Sequence, residues 1–243
     1  NPTNSSSNVI LSGANTYTGG TIVNTTGNVR ISNANAFGTG NLSIVSGTIQ
    51  GDGVSVLTGI SGQTWDGNFT LNSFSFGGQG AVNLGTSAIT LTGNRVIGVV
   101  NGTSTVGGAI SGSGRSLQFN GASNAGSGLI LNGANTFDGG LTVAGASTGS
   151  SAITVTSGNA SALGTGQVNL TNSDNSKVSL GVDTAVGSLT SGMNNGITLT
   201  SGGTSSLGSG TYALTFTGGG GSGAAGTATV NSSGVVTAVS LTN

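Results

Sequence analysis

The chain has 243 residues, 49 of them Gly, 71 Ser or Thr and 26 Asn, whereas Lys, Arg and Asp together number nine and Glu, His and Cys are absent. A net charge of −1 with four scattered basic residues, Arg30, Arg95, Arg115 and Lys177, excludes a phosphate-binding nucleic-acid surface and a polybasic membrane patch. The lack of Cys rules out disulfides and thiolate metal sites, and no apolar run reaches the ~20 residues of a spanning helix.

Abundant Gly and Ser raise the question of disorder. Disordered chains are rich in charge or Pro and poor in β-branched residues, but this one has a single Pro and regularly recurring Val, Ile and Thr. The pattern along the chain is apolar, polar, apolar, then Gly, Asn or Ser. It occurs at Val29-Arg30-Ile31, Leu42-Ser43-Ile44, Phe69-Thr70-Leu71, Ile89-Thr90-Leu91, Leu117-Gln118-Phe119, Ile153-Thr154-Val155 and Val168-Asn169-Leu170. Ile197-Thr198-Leu199 and Leu214-Thr215-Phe216 continue it. Period-two alternation predicts short strands with one buried face, and no window carries a sustained helical period.

In chain order, the first landmark is Leu11-Ser-Gly-Ala-Asn-Thr-Tyr-Thr-Gly-Gly20, followed by Asn35-Ala-Phe-Gly-Thr-Gly-Asn41. Residues 51–105 keep the strand pattern without these landmarks. Both return in the second half, as Leu131-Asn-Gly-Ala-Asn-Thr-Phe-Asp-Gly-Gly140, 120 residues on, and as Ser161-Ala-Leu-Gly-Thr-Gly-Gln167, 126 residues on. The six-residue difference predicts an insertion near Gly145–Ser151, since loops absorb length that strands cannot.

These landmarks, with the lead-in Gly108-Ala-Ile-Ser-Gly-Ser-Gly114, resemble the autotransporter-associated β-strand repeat, also called the passenger-associated transport repeat. The resemblance covers about residues 9–50 and 106–172 and implies a right-handed β-helix in a passenger segment of a secreted surface protein. Residues 211–243, with Phe216-Thr-Gly-Gly-Gly-Gly-Ser-Gly, resemble Gly-rich repeats of long bacterial and phage surface fibres. An Asn rather than Met at position 1 suggests a processed segment, and the fibre-like end suggests a parent protein that continues.

Chemistry-bearing residues are few. Polysaccharide-cleaving β-helices need carboxylates close together, and the candidates are Asp52, Asp66, Asp138, Asp174 and Asp183. Asp66-Gly67 and Asp138-Gly139 read as turns, and solvated turns are the expectation for all five. Without His or Cys, no Ser-His-Asp or Cys-His triad can form within the chain. Gly145-Ala-Ser-Thr-Gly149 matches the nucleophile-elbow string without a base, and Gly218–Gly223 matches the dinucleotide fingerprint without a following helix. Thr-x-Thr pairs, including Thr90, Thr103 and Thr154, follow no coil period, which argues against an ice-binding array. Trp65 reads as a core side chain, with an exposed sugar-stacking ring as the alternative.

The expected fold is therefore all-β, a right-handed parallel β-helix of about ten coils over residues 1–210. It contains two super-repeats with landmarks at 11–47 and 131–172, and a separate Gly-rich β segment follows at 211–243. Asn and Thr are expected in polar ladders, with Gly at corners. The expected role is an extracellular, bacterial-surface structural or adhesive rod with no catalytic, cofactor or metal residue. Its expected partners are further copies, joined head to tail through strand edges by residues 1–10 or 211–243, and a surface glycan or host receptor. The alternative is a carbohydrate-binding or polysaccharide-degrading β-helix.

Overall fold

A computed structural model describes residues 8–52, 56–73, 80–121, 127–145, 153–171, 176–184, 186, 188–191, 198–199, 207–214 and 225–242. Its strands, numbered in chain order, are short because each apolar pair is interrupted by a Gly, Asn or Ser corner. Those before residue 200 stack in three columns. Column one holds β1 (Asn8–Leu11), the second halves of β2 (Thr21–Ile31) and β3 (Leu42–Gly51), then β5 (Phe69–Asn72), β7 (Arg95–Val100), β10 (Leu117–Gly121), β12 (Leu141–Ala144), β14 (Gln167–Thr171) and β16 (Ser188–Ser191). Column two holds β8 (Gly102–Val106), β11 (Ser127–Leu131), β13 (Ile153–Ser157), β15 (Ser176–Leu180) and β17 (Thr198–Leu199). Column three holds the first halves of β2 and β3, β4 (Gln63–Trp65), β6 (Ile89–Leu91) and β9 (Ile110–Ser111).

Every pairing within the columns is parallel, and the chain visits column one, then two, then three before returning one rung higher. In column one, Asn8, Asn28, Thr48, Thr70, Gly98, Asn120, Ala144 and Thr171 stand in register one above the next, so a turn takes 20 to 28 residues. In the early coils column two is made by single backbone bonds, as from Asn15 N–H to the Asn35 carbonyl and from Thr58 N–H to the Ala34 carbonyl. The structure is thus the expected all-β parallel solenoid, with no helix among the described residues.

The alternation explains the interior. Phe69, Ile97, Phe119, Val143 and Leu170 stack in column one, and Ile44, Trp65 and Leu91 stack in column three, all inside one continuous core. Each buried side chain contributes roughly 1.5–3 kcal/mol, too little for an isolated triplet but cumulative along a stack. Several polar side chains bridge neighbouring rungs, as expected of ladders. Asn28 donates to Asn8 at 3.0 Å, Asn101 to Asn72 at 3.1 Å and Thr58 to Asn35 at 2.8 Å.

Super-repeat geometry differs from a simple stack of two copies. Leu11–Gly20 runs from column one through column two, whereas Leu131–Gly140 runs from column two through column three. The motif therefore recurs after five turns plus one column. Within each copy the second landmark lies directly on the first: Asn15 N–H donates to the Asn35 carbonyl at 3.2 Å, and Asn135 N–H to the Ser161 carbonyl at 3.1 Å.

The C-terminal region has another architecture. β18 (Gly210–Ala213), β19 (Ala225–Val230) and β20 (Val236–Thr242) form an antiparallel sheet with β19 in the middle and a bulge at Thr229/Val230.

Candidate functional site

The solenoid corners hold the described carboxylates, and the corners keep them apart. Asp52 follows column one, where its Oδ1 lies 2.9 Å from Arg30 Nη2. Asp66 follows column three and accepts from Ser43 Oγ at 2.6 Å. Asp138 lies at the same corner as Asp66 but three rungs further on, about 14 Å at ~4.8 Å per rung. There it accepts from the Gly114 N–H and from Ser113 Oγ. Asp183 is exposed beyond β15, and Asp174 lies outside the described residues. Paired carboxylates for glycoside cleavage sit roughly 5–10 Å apart, a spacing the rung count excludes for Asp66 and Asp138. Among the described residues no group of three or more His, Cys, Asp or Glu side chains is placed to hold a metal ion.

Between Asp66 and Asp138 the same corner carries Arg95 and Arg115. Arg95 is engaged by the wall itself: Nε donates to the Trp65 carbonyl at 2.7 Å, Nη2 to Thr92 Oγ1 at 2.7 Å and Nη1 to the Asn94 carbonyl at 2.9 Å. Two asparagines do similar work one coil apart. Asn68 Oδ1 accepts from Val96 N–H at 2.8 Å, and Asn94 Oδ1 accepts from Ser116 N–H at 3.0 Å. The sequence reading missed these corner residues, although Gly67-Asn68 and Gly93-Asn94 directly before an apolar strand are a visible signal.

Trp65 is fully buried, edge-on to Phe69 with centroids 5.1 Å apart. Its Nε1 donates to Gln63 Oε1 at 3.4 Å, and Gln63 Nε2 donates to the Leu84 carbonyl at 2.9 Å and to Ser87 Oγ at 3.1 Å. A buried amide with these partners satisfies the indole without solvent, so Trp65 belongs to the core and offers no sugar platform. Threonines on column two alternate with other residues: Thr103, Gly128, Thr154 and Lys177 stand in register, as do Thr105, Ile130, Thr156 and Ser179. No continuous Thr array results. Ser147 of the elbow-like string and the Gly218–Gly223 run lie outside the described residues.

Among the described residues the wall is therefore mostly neutral amides and hydroxyls, with Asp66 and Asp138 kept rungs apart on a corner that also carries Arg95 and Arg115. No family model matches the chain, and neither a curated protein nor a solved structure matches it.

Proposed function

We propose that the chain is a passive extracellular rod, displayed at a bacterial surface as an adhesin stalk or filament segment and carrying no catalytic centre. The observation that supports this reading best is the separation of the carboxylates around the corners, while Trp65, the strongest candidate for a ligand platform, is consumed by the core. Right-handed winding is the hand that parallel crossovers take. Together with about ten coils in all and passenger-type repeats, it completes the reading. Strand edges at the rod ends join copies head to tail, because an open parallel edge presents unpaired N–H and C=O groups.

Electron microscopy of the purified chain at high concentration, together with a reducing-sugar assay over a polysaccharide panel, tests the proposal. Linear assemblies with no released sugar are expected. Sugar release, lost on replacing a single Asp, would overturn it in favour of the degrading β-helix.

A further inference from the structure

Two arginines stand on successive rungs of one corner, each with the same asparagine device beside it. Asn68 and Asn94, in the turns that leave column three, reach to the rung that follows and accept a backbone N–H through Oδ1. Asn68 accepts from Val96 at 2.8 Å and Asn94 from Ser116 at 3.0 Å. Val96 and Ser116 directly follow Arg95 and Arg115 in the chain. Each carboxamide is therefore fixed beside an arginine, with its acceptor turned into the wall. Both asparagines are exposed, and their Nδ2 amino groups have no partner among the described residues.

The arginines differ in how they are held. Arg95 is half-buried and gives Nε to the Trp65 carbonyl, Nη1 to the Asn94 carbonyl and Nη2 to Thr92 Oγ1, which leaves one N–H on each terminal nitrogen. Arg115 is exposed and anchored by its backbone alone. Its N–H closes a turn onto the Gly112 carbonyl at 3.2 Å, with Gly114 at a φ of 67°, and its carbonyl accepts from Gly139 N–H at 2.9 Å. Asp138, on the adjacent rung, commits both carboxylate oxygens to this turn, accepting from Gly114 N–H and Ser113 Oγ. It fixes the loop that carries Arg115 and makes no ion pair with the guanidinium.

The result is a one-sided ledge. Across three rungs, roughly 10 Å at ~4.8 Å per step, the free groups of Asn68, Arg95, Asn94 and Arg115 are all donors, and the arginines are cationic. The flanking carboxylates, Asp66 and Asp138, are engaged by Ser43 and by the Gly112–Arg115 turn.

We propose that this ledge is a binding site for an acidic polysaccharide, a linear chain whose uronate or sulfate groups bring negative charge and only acceptors. Arginine takes such anions with paired N–H bonds, and the asparagine amino groups add a donor beside each one. A polysaccharide fits better than an acidic peptide. Rings of an extended sugar chain repeat at close to one rung, whereas side chains on one face of an extended peptide repeat at about 6.6 Å. The inference rests on the adhesive role proposed above and names its ligand class.

The test is isothermal titration of the full chain with alginate oligomers, which carry uronates, with sulfated dextran oligomers and with neutral dextran. Binding of either acidic chain, without binding of neutral dextran, is expected. Arg115→Gln and Asn94→Asp should each weaken it roughly tenfold, the scale of one charge-assisted hydrogen bond. Asn94→Asp keeps an acceptor for Ser116 N–H, so it should melt with the parent chain. Lys177→Gln removes one positive charge from column two and should leave binding unchanged. No binding of either acidic chain, equal binding of neutral dextran, unchanged affinity in a folded Arg115→Gln variant, or an equal loss in Lys177→Gln would each overturn the ledge. Tighter binding of polyglutamate would overturn it too, in favour of a protein partner. Release of reducing ends from a bound chain would sink the rod without catalysis and keep the ledge, and linear assemblies without polysaccharide binding would do the reverse.

Discussion

The two copies of the decapeptide are alike on the side that faces later coils and unlike on the side that faces earlier ones. Asn15 Nδ2 donates to the Ala36 carbonyl, as Asn135 Nδ2 does to that of Ala162. Thr39 N–H reaches the Tyr17 carbonyl at 2.9 Å, and Thr165 N–H reaches that of Phe137 at 3.1 Å. Gly38 and Gly164 hold φ of 69° and 75°, each under the ring of Tyr17 or Phe137, where a side chain would collide. On the other side, Phe137 and Asn135 are buried against the preceding coil while Tyr17 is open. The motif thus carries two interfaces, and comparing its copies isolates the contribution of one of them.

The largest expected contrast is between Phe137→Ala and Tyr17→Ala. Removing the fully buried ring should cost about 3–5 kcal/mol, as large-to-small core substitutions do. Removing the half-exposed one should cost no more than about 1 kcal/mol. Urea unfolding of the two variants measures the difference, and equal losses would break the comparison. Next comes Asn135→Ala against Asn15→Ala. The first leaves the Ile110 N–H and the Ala162 carbonyl without their side-chain partner, at about 1–3 kcal/mol for each buried group. The second strands the Ala36 carbonyl alone and should lose about half as much. Gly139→Ala, pressed against the Arg115 backbone, should cost about 1–3 kcal/mol, while Gly19→Ala should change stability by less than about 0.5 kcal/mol.

Much of this architecture was legible from the residues. Each of the triplets from Val29-Arg30-Ile31 to Val168-Asn169-Leu170 lies in a strand with its two apolar ends buried, because alternation is a direct record of which face meets the core. The corner glycines and the Asn ladders were readable for the same reason. Column identity was not. Whether 120 residues bring the motif back to the same face depends on how much chain each corner absorbs, and turns of 20 to 28 residues leave it one column on. Trp65 is in the core as its sequence setting led us to expect, but how its indole is satisfied there was beyond local pattern, since that depends on Gln63 being held by Leu84 and Ser87 from the next coil. At the candidate site, the sequence showed which carboxylates existed, and the rung count was needed to show that Asp66 and Asp138 stay apart.

The smallest effect concerns charge. Arg30 and Asp52 pair at 2.9 Å with side chains 25% and 34% exposed, the one salt bridge among the described residues. In the second copy their positions are held by Thr156 and Gly181, which cannot pair. Yet the backbone bond that docks this corner is the same in both: Asp52 N–H donates to the Ile31 carbonyl at 2.8 Å, and Gly181 N–H to that of Ser157 at 3.0 Å. Stacking therefore proceeds without the ion pair, whose two partly exposed ends are screened by water and salt. Asp52→Asn should lower stability by no more than about 1 kcal/mol. Raising the ionic strength should bring the parent chain's melting temperature toward that of the variant, because only the parent has this pair to screen. A large loss on Asp52→Asn would mean that the two corners differ in what holds them, and that neutral ladders alone do not carry the first one.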